Sequence, residues 1–90
     1  MKVVFSTRAW IQYTIWLERN PDMVLRINTL IEDARRHPFS GIGRPEPLRG
    51  ELRGFWSRRI DREHRFVYRV AGREEAQALE IASCRYQYER

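Results

Sequence analysis

Cysteine, lysine and histidine are nearly missing from this 90-residue chain: Cys84 is the one cysteine, Lys2 the one lysine, and His37 and His64 the two histidines. A lone cysteine forms no disulfide within the chain, which suits a reducing compartment, so a cytoplasmic protein is expected. The histidines and the cysteine show no zinc-site spacing, and no metal or cofactor is expected. GIGRPEP lacks the lysine and the following helix of a phosphate-binding loop. Long apolar runs are lacking too. Nothing approaches the ~20 apolar residues of a membrane-spanning helix. The opening stretch, MKVVFSTRAW, meets polar residues before it reaches signal-peptide length. The expectation is one soluble domain, residues 1–90, with no membrane partner. Its core must be thin, because a chain this short buries only roughly 60–65% of its unfolded surface.

What is plentiful is arginine. The net charge is +5, and the excess is uneven: residues 38–70 hold eight arginines against four acids, whereas residues 71–90 hold three basic residues against four acids. Within that basic third lies RPEPLRG, residues 44–50, where Glu46 stands between Pro45 and Pro47 with Arg44 and Arg49 close by. Guanidinium forks match phosphate oxygens and stack on bases. Arginines interleaved with aromatic platforms suit single-stranded nucleic acid. A stiffly held carboxylate is out of place in a pure binder, since it repels phosphate, but it is useful where a proton must be removed. RNA brings its own nucleophile, the 2′-hydroxyl. A base for that proton, cations for the phosphorane and an acid for the leaving oxygen together cleave the strand, with no metal required.

The order of elements follows from local patterns. KVVF is a short strand, and Ser6 or Thr7 can cap the helix after it. Trp10, Tyr13 and Leu17 recur at helical spacing up to Asn20. Asn20-Pro21-Asp22 opens a second helix, with a capping amide and proline at its first position. Val24, Ile27, Ile31 and Ala34 form its apolar stripe, and Pro38 ends it. Residues 38–53 are expected as ordered loop, followed by three strands around 54–60, 64–70 and 78–85. Segregated helices and strands indicate α+β, with the N-terminal strand and two helices packed on one face of an antiparallel sheet. The other face stays open, with arginines projecting from it. Alternation places Arg58 and Arg59 on opposite faces, and His64 opposite Arg65. Trp10, Trp16 and Trp56 are expected in or beside the core, Cys84 packed as a small apolar group, and His64 at the surface beside the DREH turn. The tail tyrosines Tyr86 and Tyr88 have little packing to gain, which leaves them free to meet RNA bases. By themselves the residues support a small basic α+β domain that binds RNA.

ARRHPFSGIGRPEPL, GFWSRRI, EHRFVY and CRYQY, in this order and spacing, resemble the YoeB-type toxins of bacterial type II toxin–antitoxin pairs, within the RelE-like superfamily. The resemblance runs from KVVFS to Tyr88. It implies a microbial-RNase-like fold and an endoribonuclease that cuts messenger RNA in the ribosomal A site. It also implies a cognate antitoxin with an acidic C-terminal segment, and it makes a homodimer a candidate assembly. It assigns Glu46 as general base and Arg65 as the phosphate-stabilising arginine, with Tyr88 contributing to catalysis. Arg49 falls where a basic residue near the RNA is usual, and Arg59 lies on the strand lining the site. One position departs: the family's Arg-Tyr-His-Tyr reads Arg85-Tyr86-Gln87-Tyr88 here. The family's histidine is its general acid, and an amide cannot deliver a proton. Gln87 therefore implies either an attenuated enzyme or a catalytically silent binding module.

Overall fold

The computed structural model describes residues 1–87. Its elements run β1 (Lys2–Phe5), α1 (Thr7–Arg19), α2 (Pro21–Arg36), β2 (Glu46–Pro47), β3 (Trp56–Arg59), β4 (Arg65–Ala71) and β5 (Ala78–Ser83), with 3₁₀ turns at Gly50–Leu52 and Glu74–Ala76. The strands form one sheet in the order β1-β5-β4-β3-β2. β2, β3, β4 and β5 pair antiparallel in sequence, whereas β1 lies parallel to β5, with Lys2 opposite Ala78 and Phe5 opposite Ile81. The α+β arrangement is the expected one, with the parallel edge making the sheet mixed. The helices fill the connection that takes the chain from β1 back to the sheet, and they cover one face. No helix among the described residues is long and apolar enough to cross a membrane.

Ser6 starts α1. Its hydroxyl accepts from the Ala9 amide at 3.0 Å and donates to the Ala82 carbonyl at 2.9 Å, so one side chain caps the helix and ties it to the end of β5. α2 opens on Pro21 as expected, but Asn20 makes no side-chain cap bond. Asn20 serves instead as the C-cap of α1, its amide donating to the Trp16 carbonyl at 2.8 Å.

The core lies between the helices and the sheet. Val24, Ile27, Leu30, Ile31 and Ala34 from α2 meet Phe66 and Tyr68 from β4 and Leu79 and Ile81 from β5. α1 contributes a different face from the one its apolar spacing suggests. Ala9 and Trp16 are buried, while Trp10 is 54% exposed and Ile11 and Leu17 also face outward. Trp10 is therefore no core residue. The reason is the close approach of the helix to the tail after β5, where Cys84 packs with its thiol 3.5 Å from the Ala9 carbonyl: only a small residue fits there. The stretch expected as loop also holds structure, because Glu46–Pro47 adds an edge strand to β3. Proline is tolerated there because an edge strand has one side without ladder bonds.

Candidate active site

The site is built from the loop after α2, and that loop is held by a buried arginine. Arg58 is 0% exposed and points under the helices. Its Nε donates to the Tyr68 hydroxyl at 2.9 Å, Nη1 to Asp33 Oδ2 at 2.5 Å and the Ile42 carbonyl at 3.1 Å, and Nη2 to the His37 and Ser40 carbonyls at 2.5 and 2.8 Å. All five guanidinium protons are thus placed. Tyr68 passes its own proton to the Pro38 carbonyl at 2.6 Å. Asp33 also accepts from the Ile42 amide at 3.0 Å. The hydrogen bond from Arg58 holds the Asp33 carboxyl below the usual carboxylate range, helped by the Ile42 amide. Burial pushes the Tyr68 phenol up.

The loop closes over this cluster because two glycines let it. At Gly41 (φ +111°) an added Cβ would meet Asp33 Oδ2 at 2.0 Å, and at Gly43 (φ +80°) it would meet Leu30 Cδ2 at 2.8 Å. The Gly43 carbonyl then accepts from the Arg59 amide at 2.7 Å. Arg44 takes a left-handed φ of 53°, which reverses the chain into Glu46–Pro47.

The register places the candidate residues. Glu46 pairs with Ser57, Ser57 with Val67, and Val67 with Ser83, so one row of side chains crosses the face away from the helices. Two residues along, Arg59 pairs with Arg65 on that same face. Arg58 and His64 take the opposite, helical side, as alternation requires. Arg65 is oriented by its own turn: Nη1 donates to the carbonyls of Asp61 at 2.9 Å and His64 at 3.1 Å. Glu46 and Arg59 are exposed, while Ser57 and Val67 between them are buried.

Val67 and Ser83 of this row border a groove of about 450 Å³. Its walls are the 3₁₀ turn with Arg49, the end of β5, the following Arg85, Tyr86 and Gln87, and Arg8 and Gln12 from α1. The β4–β5 register slips at Ala82, so both Ala82 and Ser83 border the groove. Arg49, Tyr86 and Gln87, all singled out from sequence, line it together. Glu46, Arg59 and Arg65 occupy the sheet face next to it and do not line it. Tyr88 lies outside the described residues. Sequence reasoning passed over Arg8, Gln12 and Arg85. The Arg85 guanidinium sits over the rings of Trp16 and Tyr86, 5.2 and 4.8 Å from their centroids, and its Nε is buried without a hydrogen-bond partner among the described residues. His64, expected at the surface, is buried. Its ring packs edge-on to Trp16 with centroids 4.8 Å apart, because the start of β4 passes under α1. Among the described residues no group of three or more His, Cys, Asp and Glu side chains could hold a metal ion.

Residues 5–88 match the family described as "YoeB-like toxin of bacterial type II toxin-antitoxin system". The chain belongs to that family. It is 50% identical over 88 residues to toxin YoeB of Escherichia coli K12, covering 98% of this chain and all of that protein. A solved YoeB/ParE toxin from Agrobacterium tumefaciens superposes with a TM-score of 0.95 at 50% identity, over 98% of this chain and all of that one. YoeB of Staphylococcus aureus, in a heterotetrameric complex with the antitoxin YefM, superposes with a TM-score of 0.85 at 38% identity over 98% of each chain. The fold is thus that of YoeB and RelE-type toxins, and the protein is a toxin of a toxin–antitoxin system.

Proposed function

We propose that the toxin is a metal-independent endoribonuclease that cuts messenger RNA in the ribosomal A site and so arrests translation. Glu46 takes the 2′-hydroxyl proton. Arg65, with its guanidinium already anchored on the 61–64 turn, stabilises the charge that grows on the phosphate. Arg49, Arg59 and Tyr86 hold the strand, and Tyr88 completes the site. Gln87 stands where the leaving 5′-oxygen needs a proton. It can donate a hydrogen bond and no more, so catalysis is attenuated. Proton transfer by a placed side chain is worth roughly 10²–10⁴-fold, about 3–5 kcal/mol of barrier. The observation that carries this reading is the register: one face of the sheet bears Glu46 and, two residues along, the Arg59–Arg65 pair. Ribosomes programmed with a defined message test it, in the presence of EDTA. Cuts within the A-site codon are expected from the parent and none from Glu46→Gln; a Glu46→Gln protein that cuts equally well removes Glu46 as the base.

A second reading is favoured by Gln87 alone: a catalytically silent module that docks on ribosomes or pairs with an antitoxin. Absence of any cut at micromolar toxin over hours, with ribosome binding retained, would establish it. Under either reading the basic surface suits an antitoxin with an acidic C-terminal segment, and a relative, YoeB of S. aureus, has been solved in complex with the antitoxin YefM. A homodimer is proposed on the same footing, from the solved dimer of S. aureus YoeB.

A further inference from the structure

The tail that carries Gln87 belongs to no helix or strand, yet its backbone is tied at Cys84 and Tyr86. The Cys84 amide donates to Gln12 Oε1 at 2.8 Å, and the Cys84 carbonyl accepts from Trp16 Nε1 at 2.8 Å. The Tyr86 carbonyl accepts from the Arg65 amide at 3.0 Å. The Tyr86 amide donates to His64 Nδ1 at 2.7 Å. Tyr86 itself is left-handed, with φ at 63°, a conformation an L-residue holds only when its surroundings impose it.

We propose that His64 is a positioning residue of the site: its neutral imidazole, wedged edge-on against Trp16, accepts the Tyr86 amide proton and fixes the left-handed turn from which Gln87 enters the groove. The bond dictates a tautomer. Nδ1 must be bare to accept, so the proton sits on Nε2, and a doubly protonated ring has no acceptor to offer. The groups facing the ring are the Trp16 indole, the Tyr86 phenol ring 5.9 Å away and the Glu63 carboxylate 3.9 Å from Nε2. Arg65 follows His64 directly and receives the Tyr86 carbonyl through its own amide, so one dipeptide sets the phosphate-stabilising arginine and the tail together. Its effect on cleavage rests on the nuclease reading above; the clasp itself does not.

The test uses the whole toxin and two variants. His64→Phe keeps the ring against Trp16 and loses the acceptor. His64→Asn returns an acceptor near the position of Nδ1. Long-range proton–nitrogen NMR of the unmutated protein is expected to show Nε2 protonated and Nδ1 bare, and the Tyr86 amide is expected to exchange about tenfold or more slower than in His64→Phe. In the ribosome assay His64→Phe should lower kcat about tenfold with little change in KM, and His64→Asn should recover most of it. A proton on Nδ1 in the unmutated protein overturns the proposal even if neither variant folds. So does equal Tyr86 exchange in parent and His64→Phe, or an unchanged kcat. A parent that cuts nothing refutes the nuclease reading, and the NMR results then decide the clasp alone.

Discussion

Arg58→Met removes a side chain that makes five hydrogen bonds among the described residues while roughly keeping its length. Five hydrogen bonds go at once, to Tyr68, Asp33 and the carbonyls of His37, Ser40 and Ile42. Breaking a buried ion pair by deleting one partner costs about 3–5 kcal/mol, because the other charge is left without compensation. The Asp33 side chain is 24% exposed and can regain some water, which pulls the cost toward the lower figure. His37, Ser40 and Ile42 are exposed residues, so their carbonyls can regain water as well, which pulls it the same way. A loss of about 3–5 kcal/mol is a third or more of the stability of many chains this size. It corresponds to a fall in Tm of roughly 12 °C or more. Urea unfolding followed by tryptophan fluorescence, and thermal unfolding by circular dichroism, measure both quantities. Asp33→Asn should cost less, and the double variant less than the sum by about 1–3 kcal/mol, since neither charge then remains unpaired. An Arg58→Met protein within about 1 kcal/mol of the parent, or strictly additive costs, would refute the claim that this guanidinium latches the Glu46 loop.

Gln87→His should raise the cleavage rate at least tenfold, within the roughly 10²–10⁴-fold a placed acid can supply; an unchanged rate in single-turnover assays would put the acid elsewhere. Asp33 titrates below its unfolded value, so the unfolded chain binds the extra proton first. Its contribution is complete above about pH 4 and is lost as pH falls through the depressed value. Urea midpoints measured from pH 6 downward should therefore fall less steeply for Asp33→Asn than for the parent; parallel slopes would contradict the pairing with Arg58. Burial pushes the Cys84 thiol up to about 12, so the folded toxin should resist thiol reagents at pH 8 and react promptly in denaturant. Fast labelling of native protein would show that the packing against Ala9 is loose.

Much of this architecture was legible because local signals agreed with one another. Asn20-Pro21-Asp22 opened α2 where the chain does, and Val24, Ile27, Ile31 and Ala34 marked the stripe that is buried. Alternation separated Arg58 from Arg59 and His64 from Arg65. It could not say that Arg58 was the buried one, since burying a cation depends on Asp33, Tyr68 and three carbonyls supplied from distant turns. α1 misled for a related reason. Its large apolar residues, Trp10, Ile11 and Leu17, face outward, and the contact is made by Ala9, whose merit is smallness. The Glu46–Pro47 strand was hidden because two prolines argue against any central strand, whereas an edge accepts them. His64 read as a turn residue because its partner, the Tyr86 amide, lies 22 positions away. The aromatic-rich end, CRYQY, and its likeness to the family's motif pointed to the tail, and only the structure showed Arg8, Gln12 and Arg85 around it.

The most direct test of the central claim is the pattern of cuts on a ribosome-bound message, read at single-nucleotide resolution with parent, Glu46→Gln and Gln87→His side by side. Slow cutting within the A-site codon by the parent, none by Glu46→Gln and faster cutting by Gln87→His is the predicted result. Cuts that persist undiminished in Glu46→Gln would contradict it.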